Sequence, residues 1–176
     1  MRRPYSVGDE VSLRLGDPIS GVAQQVITKR ILRVDTDQDR VAYSDTTETD
    51  LNGNPYFNPL NQSSRIDVPV QFFPDEIQIG KKWTCAWRGV NPLGMITSYG
   101  AELMVVAKES VVVPAGKFDS FKIDGRGSSS AGAQIRYTLW VVPGLIEAIK
   151  MEIRSTYGPS NRRLELVELK QRISPV

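Results

Sequence analysis

The residues best placed to bind or react are acids. Asp35, Asp37 and Asp39 alternate in the segment DTDQD, and carboxylates at that spacing open a calcium-binding loop. Such a loop also needs glycine at its sixth position and glutamate at its twelfth. Those places hold Arg40 and Thr46, so the segment reads as a hairpin tip with solvated acids. Two carboxylates converging on one cleft could instead hydrolyse a glycoside or a peptide. The chain has 20 acidic residues, but none sits in a distinctive motif. A carboxylate-dependent hydrolase is therefore the least favoured reading.

Other routes to chemistry are closed by residue type. There is no histidine, which removes the commonest base near neutral pH and the commonest metal ligand. A serine nucleophile would then need lysine as its base, and no S-x-x-K sequence occurs. The one cysteine, Cys85, cannot form an internal disulfide. It shares a strand face with Trp83 and Trp87, where a thiol reads as small apolar filler rather than a nucleophile. The segment GRGSSSAG, 125–132, lacks a lysine and a following helix, so it reads as a loop and not a phosphate cradle. No catalytic residue, metal ligand or cofactor is expected, and the chain is read as not an enzyme.

What remains is aromatic. Trp83, Trp87, Tyr99 and Trp140 all fall on strands at apolar phase. A sheet lined by such rings could hold an acyl chain or another apolar ligand, and these four are the candidate contacts. The plainer reading is that they fill the core. Nucleic acid is excluded as a partner: 22 basic residues stand against 20 acidic ones, for a net charge of +2. The basic residues fall in scattered pairs and not in a stripe.

The elements that must position these rings are strands. No window carries an apolar stripe at helical spacing, whereas two-residue alternation recurs. Val11, Leu13 and Leu15 alternate with polar residues, and QVITKRILRV with DRVAYSDT flanks the turn DTDQ. Asn52-Gly53 marks a tight turn, and 58–64 reads as a polar loop. KKWTCAWRG, the long ITSYGAELMVVAKE with a bulge expected at Gly100, QIRYTLWVV, IEAIKMEIRSTY and RRLELVELK continue the series. About ten strands with turn signals between them predict an all-β fold: a strongly curved antiparallel sheet, open or a half barrel. YSVGDEVSLRL and IQIGKKWTCAW match in pattern, with Gly8 opposite Gly80. A single domain over 1–176 is expected, with two similar sub-units, 5–60 and 77–176. No stretch reaches the roughly 18 apolar residues of a membrane span. The opening MRRPYSVGDEV has a positive start but no apolar region, so any signal peptide is read as lying outside this chain.

VVVPAGKFDSFKI, 111–123, resembles the V-x-V-P-A-G-x-F-x-[AS]-[FY]-x-I signature of a family of uncharacterised bacterial envelope proteins. YTLWVVPGLIEAIKMEIRS, 137–155, is similar to that family's Y-x-x-W-Y-[AV]-P-G-x-G-x-[VI]-K-x-E segment, and LELVEL to its closing strand. VGDEVSLRL and IGKKWTCAW match its G-[DK]-x-W-x-[YF] strands, with Val11 where an aromatic is usual. The resemblance makes Pro114, Gly116, Phe118, Pro143 and Gly144 structural motif positions. It implies an exported or lipid-anchored all-β protein, likened to open-barrel carriers of lipids and lipoproteins, with no established catalytic residues. Ile146-Glu147 replaces the family's glycine-valine, a departure expected to loosen the turn after Gly144. The expected location is periplasmic or envelope-associated, with the cytoplasm as the alternative. The expected function is non-catalytic binding of an apolar ligand or an envelope protein. The alternative is a structural or assembly module whose exposed strand edge pairs with a neighbour.

Overall fold

A computed structural model describes residues 2–57, 68–90, 93–156 and 161–172, apart from the Gln24 and Phe57 side chains. Eleven strands follow in order: β1 (Glu10–Gly16), β2 (Ala23–Asp35), β3 (Arg40–Tyr43), β4 (Glu48–Thr49), β5 (Pro55–Phe57), β6 (Lys82–Val90), β7 (Ile96–Val113), β8 (Gly116–Ser129), β9 (Gln134–Val141), β10 (Lys150–Ser155) and β11 (Arg162–Lys170). The described residues contain no helix. All eleven strands join one antiparallel sheet in the order β5-β4-β3-β2-β1-β11-β10-β9-β8-β7-β6. The sheet does not close on itself, so the open all-β architecture expected from the alternation is the one observed.

Two meanders make up this order. From β1 the chain steps outward to the edge strand β5. It then restarts at the opposite edge, β6, and steps back to β11, which pairs with β1. The two beginnings are built alike. Gly8, at φ 92°, completes a turn in which Asp9 N–H donates to Ser6 O, and Gly80, at φ 89°, completes one in which Lys81 N–H donates to Gln78 O. Each turn then pairs with its neighbouring strand: Gly8 N–H to Ile31 O and Ile31 N–H to Asp9 O, Gly80 N–H to Val105 O and Val105 N–H to Lys81 O. Glycine is needed because the third position of such a turn has positive φ. The similarity of the two sequence segments thus extends to their hydrogen bonds.

The two Pro-Gly motifs are corners. Pro114 and Ala115 turn β7 into β8, and Gly116 at φ 133° pairs with Val113. Ala115 N–H is then donated to Leu166 O of β11, docking the hairpin tip against a strand far along the sheet. Pro143 and Gly144, the latter at φ 89°, form a turn closed by Leu145 N–H to Val142 O. Three expectations are corrected. Gly100 sits in regular register between Ala86 and Ser128, and the irregularity falls at Val105/Ala107. The segment after Gly144 does not become strand until Lys150. Nor is the turn loosened by Ile146-Glu147, because Ile146 is 2% exposed and Glu147 pairs with Lys29. The loop expected at 58–64 lies outside the described residues.

Candidate functional site

Alternation assigns the side chains of β6 to β9 to two faces. Cys85, Ala101, Leu103, Val105, Ile123, Ile135, Tyr137, Leu139 and Val141 share the inner face and one hydrophobic cluster. Trp83, Trp87 and Tyr99 pack on the same cluster from the edge side. Trp87 and Tyr99 are cross-strand partners, and their rings stack with centroids 5.3 Å apart and planes 9° apart. Three of the four predicted contacts therefore form one wall.

Trp140, the fourth, does not join them. Its neighbours Leu139 and Val141 point inward, so it projects from the other face of β9 into a second cluster with Val11, Leu13, Val113 and Ile149. Its Nε1–H donates to Glu109 Oε1 at 2.6 Å, and Lys122 and Lys150 approach its ring at 5.7 and 4.8 Å. Phe118 packs in this second cluster too.

Sequence reasoning missed the segment that fills the inner face. Between the two sheet edges, Val70, Phe72 and Phe73 are buried outside any strand, at 3%, 7% and 4% exposure. They form a strap tied to both sides. On the β5 side, Val70 N–H donates to Pro55 O, Phe73 N–H to Asn54 Oδ1 at 2.8 Å and Asn54 Nδ2–H to Phe73 O at 3.2 Å. On the β6 side, Trp83 Nε1–H donates to Gln71 O at 2.7 Å. Phe72 then meets Trp87 edge-on at 6.0 Å and Tyr137 at 5.2 Å. The only signal in the sequence was the aromatic pair itself, set between Pro69 and Pro74 without alternation.

Beneath the strap lies a cavity of about 70 Å³, bordered by Lys29, Tyr43, Phe72, Phe73, Glu147 and Arg162. Lys29 Nζ and Glu147 Oε2 are 2.6 Å apart, and Glu147 Oε1 also accepts Ala148 N–H. Burial alone would raise the pKa of Glu147, but the attraction of Lys29 and Arg3 outweighs it and holds the carboxyl below its usual range. Arg3 donates to Asn52 O and Leu145 O and lies 4.4 Å from the Phe73 ring centre, so the strap rests partly on this polar cluster. Burial pushes the Cys85 thiol up to about 11. A thiol so disposed stays protonated near neutral pH. Native protein at pH 7.5 is accordingly expected to alkylate with iodoacetamide much more slowly than urea-unfolded protein, as mass spectrometry of the adduct would show. Among the described residues no group of three or more acids or cysteines is gathered to hold a metal.

The fold and this site define a class: an open antiparallel sheet whose inner face is occupied by its own aromatic strap. No family model matches the chain, and no curated protein matches its sequence. Solved structures do match the fold. One is a protein of Bacteroides fragilis inferred to be exported, with a YmcC-like fold, at 12% identity and TM-score 0.61 over 97% of this chain and 99% of that one. A second, from Parabacteroides distasonis and inferred to be a lipoprotein, has 14% identity and TM-score 0.59 over 96% and 97%. The third is the hypothetical lipoprotein YmcC of Escherichia coli, at 13% identity and TM-score 0.56 over 94% and 88%. The chain thus shares the fold of YmcC-like proteins along nearly its whole length.

Proposed function

We propose that this chain is a non-catalytic domain of the bacterial envelope that takes up an apolar chain along its inner face, in the place its own strap holds. The observation that carries this reading is the strap. Val70, Phe72 and Phe73 are an apolar stretch outside the sheet, seated on a wall of Trp83, Trp87, Tyr99 and Tyr137. A surface that holds one extended apolar segment without strand pairing can hold another of like chemistry. The cavity of about 70 Å³ is far below the roughly 300 Å³ of a ligand pocket, so uptake requires the strap to yield. The envelope location is supported by the sequence resemblance and by matched folds from proteins inferred to be exported or lipid-anchored. Among the described residues no helix is long and apolar enough to cross a membrane.

The test is native mass spectrometry of the purified protein, with titration by a fluorescent fatty acid. The expected result is bound lipid or saturable uptake, weakened about tenfold or more by Trp87→Ala, as for a central aromatic contact. Clean spectra and no uptake by folded protein would remove the reading. A second reading has its own observation. Among the described residues the nine-residue strand β6 is an edge, in unbroken register with β7 alone, and an edge of this kind is a template for a partner's strand.

A further inference from the structure

One end of the sheet combines facing arginines with exposed aliphatic side chains. The turns β6–β7, β8–β9, β10–β11 and β1–β2 all lie at that end. The register fixes this: Val90 faces Ile96, Ser128 faces Gln134, Ile153 faces Arg162, and Gly16 faces both Arg163 and Ala23. These turns expose Ile19 (70%), Val22, Leu93 (84%), Met95 and Ile96.

On the outer face beside them runs a row of arginines. Arg126 of β8 lies opposite Arg136 of β9, which lies opposite Arg154 of β10. Like charges directly opposite across an antiparallel pair are destabilising. Elsewhere the sheet pairs its cations, as in Arg14–Glu165, Arg30–Glu10 and Lys170–Glu10. Among the described residues neither Arg126 nor Arg136 has a carboxylate within ion-pair distance, and the three arginines line a groove of about 530 Å³ with Gln134, Thr156 and Ile19. Among the described residues no acid lines it. Of the nearby acids, Asp17 accepts Ile19 and Ser20 N–H, Glu152 is held between Lys150 and Arg154, and Glu102 and Asp124 border the adjoining groove on the same face, beyond ion-pair distance of Arg126 and Arg136. Arg154 Nη2–H also reaches Pro18 O at 3.4 Å, fixing the Ile19 turn at the groove's rim.

We propose that this end of the sheet docks on an anionic lipid surface, with Arg126, Arg136 and Arg154 taking headgroup phosphates and Ile19, Val22, Leu93 and Met95 entering the headgroup–acyl boundary. Guanidinium forks match phosphate oxygens two at a time. The exposed aliphatics favour a lipid surface over a free anion, because a small anion has nothing to cover them. The proposal uses the outer face and the turns, so it stands or falls separately from ligand uptake on the inner face.

The test is co-sedimentation of the protein with vesicles of phosphatidylcholine alone and of an equimolar mixture with phosphatidylglycerol. Binding is expected to the mixed vesicles and to weaken with salt. R126Q/R136Q is expected to lower it by about tenfold or more, and I19S/L93S to lower it as well. All four positions are exposed, so circular dichroism and melting should match the parent. K117Q, at the opposite end of β8, should leave binding unchanged. No binding to mixed vesicles, undiminished binding by R126Q/R136Q, or an equal loss in K117Q would overturn the proposal. Binding of inorganic phosphate without vesicle binding would also overturn it, by making the groove a small-anion site.

Discussion

Glu147→Ala is expected to lower the stability of the domain by about 3 kcal/mol, the lower end of the range for breaking a buried ion pair. The lower end applies because the Glu147 side chain keeps 17% exposure, against 10% for Lys29. The cost comes from what is left behind. Without the carboxylate, Lys29 remains beside the Tyr43 ring at 4.6 Å, and Arg3 loses the same attraction. Replacing both partners, as Lys29→Met with Glu147→Leu, should recover most of the loss, since an apolar pair of similar volume is often as stable as the ion pair. Urea titrations of the parent, the single and the double variant would measure this. The pH dependence has a definite sign. The folded pKa of Glu147 is depressed, so its contribution is fully present above the unfolded carboxyl value of about 4.3 and is lost as pH falls through the lower folded value. Melting temperature should fall on acidification in the parent and fall less in the Glu147→Ala variant. Equal acid sensitivity in both would show that the pair is not coupled to folding.

Phe72→Ala should cost about 3 kcal/mol by deleting a buried ring. It should also raise uptake of a fluorescent fatty acid by the protein that stays folded. The first effect follows from burial at 7% and contacts with Trp87 and Tyr137. The second follows only if the strap competes with a ligand for the same wall. Thermal melts and probe titration on one sample separate the two. A destabilised variant with no gain in uptake would mean that the strap is simply core.

The strands were legible because their chemistry is local. Val11, Leu13 and Leu15 alternate, Asn52-Gly53 turns, and each Pro-Gly corner carries the glycine that its positive φ requires. One short piece escaped. DRVAYSDT reads as strand throughout but the strand ends at Tyr43, because Tyr43 N–H donates to Thr47 O across a tight turn that leads into β4. The wall of Trp83, Trp87 and Tyr99 was legible from their shared parity. Trp140 could have been separated by the same test, since Ile135, Tyr137, Leu139 and Val141 set the inward phase and Trp140 is out of step with it. The strap was not legible, because its burial depends on two sheet edges far apart in sequence rather than on any period of its own. Glu147 was misjudged for a similar reason: its partner, Lys29, lies more than a hundred residues earlier.

The pairing of β1 with β11 has a consequence for how the chain matures. Within each meander, neighbouring strands are joined by nearby turns and can form as hairpins while the polypeptide emerges. The seam pairs Glu10 with Lys170 and Gly16 with Arg163, so it cannot form until β11 has been made. Until then one flank of β1 stands as an open edge, the kind of surface that recruits stray strands. Long-range pairing of this kind is the slow event in β-sheet folding. For a chain delivered amino terminus first, through a ribosome or a translocation pore, the vulnerable interval lasts from the emergence of β1 to that of β11, and a holding chaperone would be needed longest on the first meander.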